Sequence, residues 1–230
     1  MEDIMRVLWV TLIIIVTDQL TKLLIKGSEL FGIKGMPLGE SVPVLGQWFR
    51  LTFTENPGMA FGIEVDSKLF LTLFALVATV LILVYLLRMK HGHWGYRLSL
   101  AAILGGAIGN LIDRTFYGVW YGYGTLFHGN VVDFIHFDIW RGIVPDWVPL
   151  IGGQWTALLP VWNVADMAIV VGVVAILLFQ GRFHRYEVAR QLAEKSPNAD
   201  PEPDTIAGKD AVPDIEPIGK TQELPKPNAG

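Results

Sequence analysis

Residues 69–87, LFLTLFALVATVLILVYLL, run for 19 positions without a charged side chain. About 20 predominantly apolar residues are needed to cross the hydrocarbon core of a bilayer as a helix, so this stretch places the chain in a membrane. The composition agrees: of 230 residues, 52% are hydrophobic and 17% charged, too apolar and too poor in charge for an ordinary soluble domain. The net charge of −4 comes without a long basic cluster, which leaves no electrostatic footprint for nucleic acid. Cysteine is absent, and with it disulfides, thiolate chemistry and cysteine-ligated metals.

Working outward from 69–87, three further spans emerge at about 7–25, 98–117 and 158–179, each interrupted by polar residues. Asp18 and Lys22 break the first, Asp113 and Arg114 the third, and Asp166 the fourth. The segment VLWVTLIIIVTDQLTKLLI has a basic-plus-apolar look but is followed by no small-residue cleavage site, so it is expected to be a retained span. The expected fold is an α-helical polytopic membrane protein, with four transmembrane helices in one domain over residues 1–185. A small extracytoplasmic β-containing element is expected as well, because WFRLTFTEN (48–56) alternates like a strand and stops at NPG. Residues 186–230 should form a cytoplasmic, disordered tail. Its last part, from Pro197 to Gly230, holds seven of the 13 prolines and little that packs.

Four spans put both termini on one side, and basic residues choose it. Arg88, Lys90 and Arg97 flank the loop between spans two and three, and Arg182, Arg185 and Arg190 follow span four, so these ends are expected to be cytoplasmic. Spans one and three then run outward with Asp18, Lys22, Asn110, Asp113 and Arg114 in their outer parts. Span four runs inward with Asn163 and Asp166 near its start. At about 1.5 Å of rise per residue, the polar groups of three helices fall at one depth near the external face.

A charge inside a bilayer costs at least about 2.5 kcal/mol unless it is compensated, so these residues need a reason. Asn163 and Asp166, spaced i,i+3, are expected to share a helix face, as are Asn110 with Arg114 and Asp18 with Lys22 at i,i+4. Asp18 with Lys22 reads most simply as a structural pair. Arg114 reads equally as a counter-charge or as part of a site. Asp166 has no basic residue within one turn, so its partner must come from elsewhere. Asp133, a lone carboxylate in the apolar, β-branched run GNVVDFIHF, is a candidate. Two carboxylates in a partly desolvated cleft share a proton at neutral pH, which suits aspartic peptidase chemistry. A packing role and a proton- or ion-coupled transporter using buried Asp, Asn and Arg remain alternatives on the pattern alone. Transport predicts polar groups spread across the membrane depth, whereas these crowd one end. His128, His136 and Asp138 surround Asp133, but no HExxH or other metal spacing is present, so no metal or other cofactor is expected. LGGAIGN (104–110) reads as a small-residue face for close helix packing.

Five ordered segments resemble the lipoprotein signal peptidase family, the type II signal peptidases. These are DQLTK with Asp18 and Lys22, NPGMAF with Asn56, Gly58 and Phe61, GGAIGNLIDR with Asn110, Asp113 and Arg114, VVDF with Asp133, and WNVADMAI with Asn163, Ala165 and Asp166. The resemblance runs from about residue 5 to 180 and implies an aspartic endopeptidase with Asp133 and Asp166 as its dyad. It implies Asn56, Gly58, Asn110, Arg114 and Asn163 as substrate-binding or supporting residues, and Asp18 with Lys22 as structural support. The implied substrate is a diacylglyceryl-modified prolipoprotein, cut N-terminal to its lipid-modified cysteine by a monomer in the bacterial inner membrane. The link between Asp133 and Asp166 looks long for the family, and the tail is an addition.

Overall fold

The structure, a computed structural model, describes residues 2–58, 68–89, 93–148, 152–153, 155–157 and 159–195. Of the residues singled out above, Phe61, Lys90 and most of the tail lie outside them. The chain divides into two units, Met1–Arg190 and Gln191–Gly230.

Among the described residues, four helices are long and apolar enough to span a membrane: Met5–Lys26, Lys68–Arg88, Trp94–Trp120 and Val164–Arg190. They lie within helices α1 (Glu2–Lys26), α2 (Lys68–Arg88), α3 (Trp94–Ile112) with its continuation, and α5 (Val164–Lys195). A helix satisfies its own backbone polar groups, which is the condition for crossing lipid. Their outer surfaces are correspondingly greasy: α2 exposes Phe70, Phe74, Val77 and Leu81 and buries only Thr72, Thr79 and Leu86, one residue per seven along a single stripe.

Small residues set the spacing of the bundle. Along the seam of α1 with α3, Thr11 Oγ1 donates to Ala101 O at 2.9 Å. The positions a Cβ would take on Gly105 and Gly109 lie 2.9 Å from Ile14 Cβ and 2.6 Å from Asp18 Oδ2. The paired numbers rise together, so α1 and α3 run parallel. Gly106 meets Ala165 and Gly172 meets Ser99, so α5 runs antiparallel to α3. Close backbone approach of this kind is how helices associate where lipid removes the hydrophobic drive.

After Ile112 the helix widens into one π-helical turn, Asp113–Tyr117, and closes with α4 (Gly118–Trp120). Beyond the helix ends a four-stranded antiparallel sheet runs in the order β1 (Ser41–Leu45), β2 (Phe49–Asn56), β3 (Val131–Phe137) and β6 (Val161–Trp162). A separate hairpin pairs β4 (Arg141–Ile143) with β5 (Trp155–Ala157), in the link that sequence left unassigned. A bulge between Leu51 and Thr54 in β2 faces Asp133, and bulges bend and re-aim a strand.

The end of the fourth span differs from expectation. Residues 161–162 pair with His136 and Ile135 of β3 instead of continuing the helix. Pro160 has no amide hydrogen and favours extended backbone before it, so the helix starts only where Asn163 caps it. At the other end α5 continues to Lys195.

Candidate active site

Asp166 is the third residue of α5, and Asn163 stands immediately before that helix. Asn163 Oδ1 accepts from the Asp166 amide at 2.8 Å, and Asp166 Oδ2 accepts from the Asn163 amide at 3.3 Å. This reciprocal cap satisfies two amides that the helix itself leaves unpaired. Asn163 and Asp166 therefore do not share a helix face; they form a box around the helix start, with the acidic group at the end favoured by the helix dipole. A third amide of that turn, Ala165 N, donates at 2.9 Å to Asp18 Oδ1 of α1.

The partner that Asp166 lacked on its own helix comes from α3: Asn110 Nδ2 donates to Asp166 Oδ1 at 2.8 Å. Asn163 Nδ2 reaches the other way, donating to Asp133 Oδ1 at 2.7 Å and approaching Asn110 Oδ1 at 3.1 Å. Asp133 sits on β3 opposite Thr54 and is buried. One asparagine thus touches both carboxylates, and a second holds the first two together.

Beneath them lies a fully buried ion cluster. Lys22 Nζ is 2.8 Å from Asp18 Oδ2, 2.7 Å from Asp113 Oδ2 and 3.0 Å from Asn110 Oδ1. Because an ammonium only donates, Lys22 fixes the Asn110 oxygen toward itself and so turns the Asn110 amide toward Asp166. Gln19 completes the cluster. Its Nε2 donates to Asp113 Oδ1 at 2.9 Å and its Oε1 accepts from Tyr117. Asp113 Oδ2 also accepts from the Val132 amide at 3.2 Å, which ties the ion cluster to the strand carrying Asp133.

Arg114 lies in the π turn that follows Asn110, with Asp133, Asp113 and Asp166 as its charged neighbours. Asn110 meets α5, while Arg114 Nη1 lies 3.3 Å from where a Cβ on Gly58 would stand. Gly58 has φ +111°, a conformation that favours glycine, and its amide donates to Asn56 Oδ1 at 2.9 Å. Arg114 Nη1 is buried and has no hydrogen-bond partner among the described residues. Asn56 and Gly58 thereby place a side-chain-free turn over the guanidinium.

Four carboxylates, Asp18, Asp113, Asp133 and Asp166, face two cations, Lys22 and Arg114. Burial pushes the Asp133 carboxyl up to about 7, with the neighbouring Asp166 carboxylate adding to the rise. A buried pair with that imbalance retains a proton near neutrality. His136 is engaged elsewhere: its Nδ1 lies 2.8 Å from Thr52 Oγ1 and its Nε2 3.3 Å from Arg141 Nη2. Burial and then Arg141 push its pKa down, keeping the ring neutral.

Sequence reasoning did not assign Gln19, Tyr117 or the π turn to the site. The one available signal was Asp113, a second carboxylate that a lone Lys22 had to neutralise. Nothing local marks Gln19, whose role depends on the pairing of α1 with α3.

Buried carboxylates gathered at the end of a four-span bundle, under a small sheet, define a membrane-embedded aspartic endopeptidase. Residues 10–181 match the family model described as signal peptidase (SPase) II, and the chain belongs to that family. The lipoprotein signal peptidase of Porphyromonas gingivalis is 38% identical over 185 residues, covering 72% of this chain and 78% of that protein. That of Amoebophilus asiaticus is 40% identical over 185 residues, covering 74% and 75%. That of Chlorobium phaeobacteroides strain BS1 is 34% identical over 171 residues, covering 74% and 92%. A bacterial membrane enzyme solved by the in meso method at 2.3 Å shares the fold, with a TM-score of 0.51 at 23% identity over 86% of this chain and 93% of that one.

Proposed function

We propose that Asp133 and Asp166 are the catalytic pair of a signal peptidase acting on diacylglyceryl-modified prolipoproteins, cleaving N-terminal to the lipid-bearing cysteine. The observation that carries this reading is Asn163 touching both carboxylates, from a strand and from a helix start, in a largely buried setting. Asp166, which accepts two N–H donors, takes a proton from the attacking water. Asp133, with one donor and a raised pKa, carries the proton that passes to the scissile carbonyl oxygen and then to the leaving amine. Arg114 Nη1 supplies a donor for the charge that develops on that oxygen. Asn110 and Asn163 hold the carboxylates apart and aimed, and Lys22 with Asp18 and Asp113 supports them without touching substrate.

The positive residues Arg88, Arg97, Arg182 and Arg185 lie at the helix ends away from the sheet. We place that side in the cytoplasm by the excess of basic residues, with the dyad at the external face of the bacterial inner membrane. The substrate's acyl chains stay in the bilayer while the peptide enters laterally, so anchoring raises its local concentration. A single chain supplies every group named here, and the enzyme works as a monomer. The membrane domain closes by about residue 185, and residues 186–230 are a tail dispensable for cleavage.

Two synthetic peptides identical except for the diacylglyceryl group, offered to purified protein in bilayers, test this. The modified peptide is cut immediately before the cysteine and the bare one scarcely at all. Equal cleavage of both, or a cut elsewhere, removes the substrate assignment.

A further inference from the structure

Three buried side-chain nitrogens have no hydrogen-bond partner among the described residues: Arg97 Nε, Arg114 Nη1 and Trp162 Nε1. Arg97 belongs to the helix end remote from the dyad. The other two flank it. Native structures leave few such donors, and each calls for an explanation.

Successive side chains of a strand alternate between faces, so Val131, Asp133 and Ile135 share one face of β3. Asn56 pairs with Val131 and leads into Gly58, whose missing side chain leaves a gap beside the buried Arg114 Nη1. Trp162 pairs with Ile135, and directly opposed residues of an antiparallel pair stand on the same side. Trp162 therefore stands toward the Ile135 end of Asp133, and Gly58 with the neighbouring Arg114 Nη1 toward the Val131 end. That arrangement suits an extended peptide running along β3 with its scissile bond over Asp133. Trp162 also directly precedes Asn163, so the chain that positions the dyad positions the indole.

We infer that the Trp162 indole N–H is a substrate-positioning donor, taking a main-chain carbonyl of the substrate on the opposite side of the scissile bond from Arg114. The inference rests on the function proposed above and adds a fixed, extended direction for the bound peptide. A phenylalanine at this position would fill most of the same space and offer no donor. The contact is made only with substrate present, so the free protein gains nothing from the N–H.

The experiment compares wild type with Trp162→Phe on one diacylglyceryl peptide and on versions carrying a thioamide in place of each amide near the cut, since sulfur accepts hydrogen bonds weakly. Trp162→Phe should lower kcat/KM by roughly three- to tenfold, the worth of one neutral hydrogen bond, mostly through KM. Its unfolding midpoint should not fall, because no bond of the free protein is lost. One thioamide should impair the wild type and cause Trp162→Phe no further loss. If Trp162→Phe does not accumulate, benzothienylalanine at 162, with sulfur in place of the N–H, serves as the isosteric variant. Unchanged kcat/KM overturns the inference. So does a lowered midpoint with the same thioamide pattern in both proteins, which would assign the N–H to a structural contact such as a bridging water. A wild type that leaves the peptide intact, as Asp133→Asn does, removes the proposed function and this inference with it; wild-type cleavage with no effect of Trp162→Phe removes the inference alone.

Discussion

A methyl group added at Gly106 should disable the enzyme although Gly106 carries no chemistry. A Cβ there would stand 2.2 Å from Ala165 O and 2.7 Å from Ile169 Cγ1. Relieving that overlap requires the first turn of α5 to move from α3 by roughly 1 Å, given the distances at which non-bonded atoms settle. The moving turn carries Ala165 N, held by Asp18 at 2.9 Å, and Asp166, held by Asn110 at 2.8 Å. Hydrogen bonds of that length do not survive such a stretch. A misplacement of about 1 Å at the reacting groups costs on the order of 10²-fold in rate, and overpacking a seam costs about 1–3 kcal/mol of stability. Gly106→Ala should therefore lower kcat/KM by about 10²-fold on a diacylglyceryl peptide and lower the unfolding midpoint in detergent. Gly181→Ala, on α5 with nothing within 4 Å of its added carbon, is the control and should leave both unchanged. If Gly106→Ala stays within about threefold of wild type, less than 1 kcal/mol in the barrier, the claim that α3 sets the position of Asp166 is refuted.

Lys22→Met should destabilise the protein by about 3–5 kcal/mol, because it strands the buried Asp18 and Asp113 carboxylates; an unfolding midpoint equal to wild type in detergent contradicts the buried cluster. Asp133 gives a pH dependence with a definite sign. Its pKa is raised by burial to about 7 from about 3.9 in the unfolded chain, so its contribution is full below about pH 4 and is lost as pH rises through about 7. Asp133→Asn should flatten the fall of the unfolding midpoint across that window, and an unchanged slope argues against a raised pKa. Cleavage should decline on the alkaline side of about pH 7 as Asp133 gives up the proton it donates.

The membrane class was legible because 69–87 carries no charge, and the gathering of the polar residues at one end of the bundle followed from helix rise. The strand at 48–56 was legible from its alternation. The start of α5 was not: an apolar run with Trp162 and Val161 reads equally as helix or strand, and only pairing with Ile135 and His136 decides it. The same ambiguity hid the Asn163–Asp166 cap behind an i,i+3 spacing that suggested a shared face. The π turn has no sequence signature in this chain and required the structure. What the pattern did carry was that Asp166 needs a partner from another element, which is Asn110.

The most direct test of the central claim is the turnover of Asp133→Asn and Asp166→Asn on the diacylglyceryl peptide, each purified and folded in the membrane. Proton removal from water and proton donation to the departing groups are both required, so each substitution should reduce kcat by at least about 10²-fold. Retention of more than about a tenth of wild-type turnover by either variant, a loss of less than about 1.4 kcal/mol in transition-state stabilisation, would contradict a mechanism built on the two aspartates.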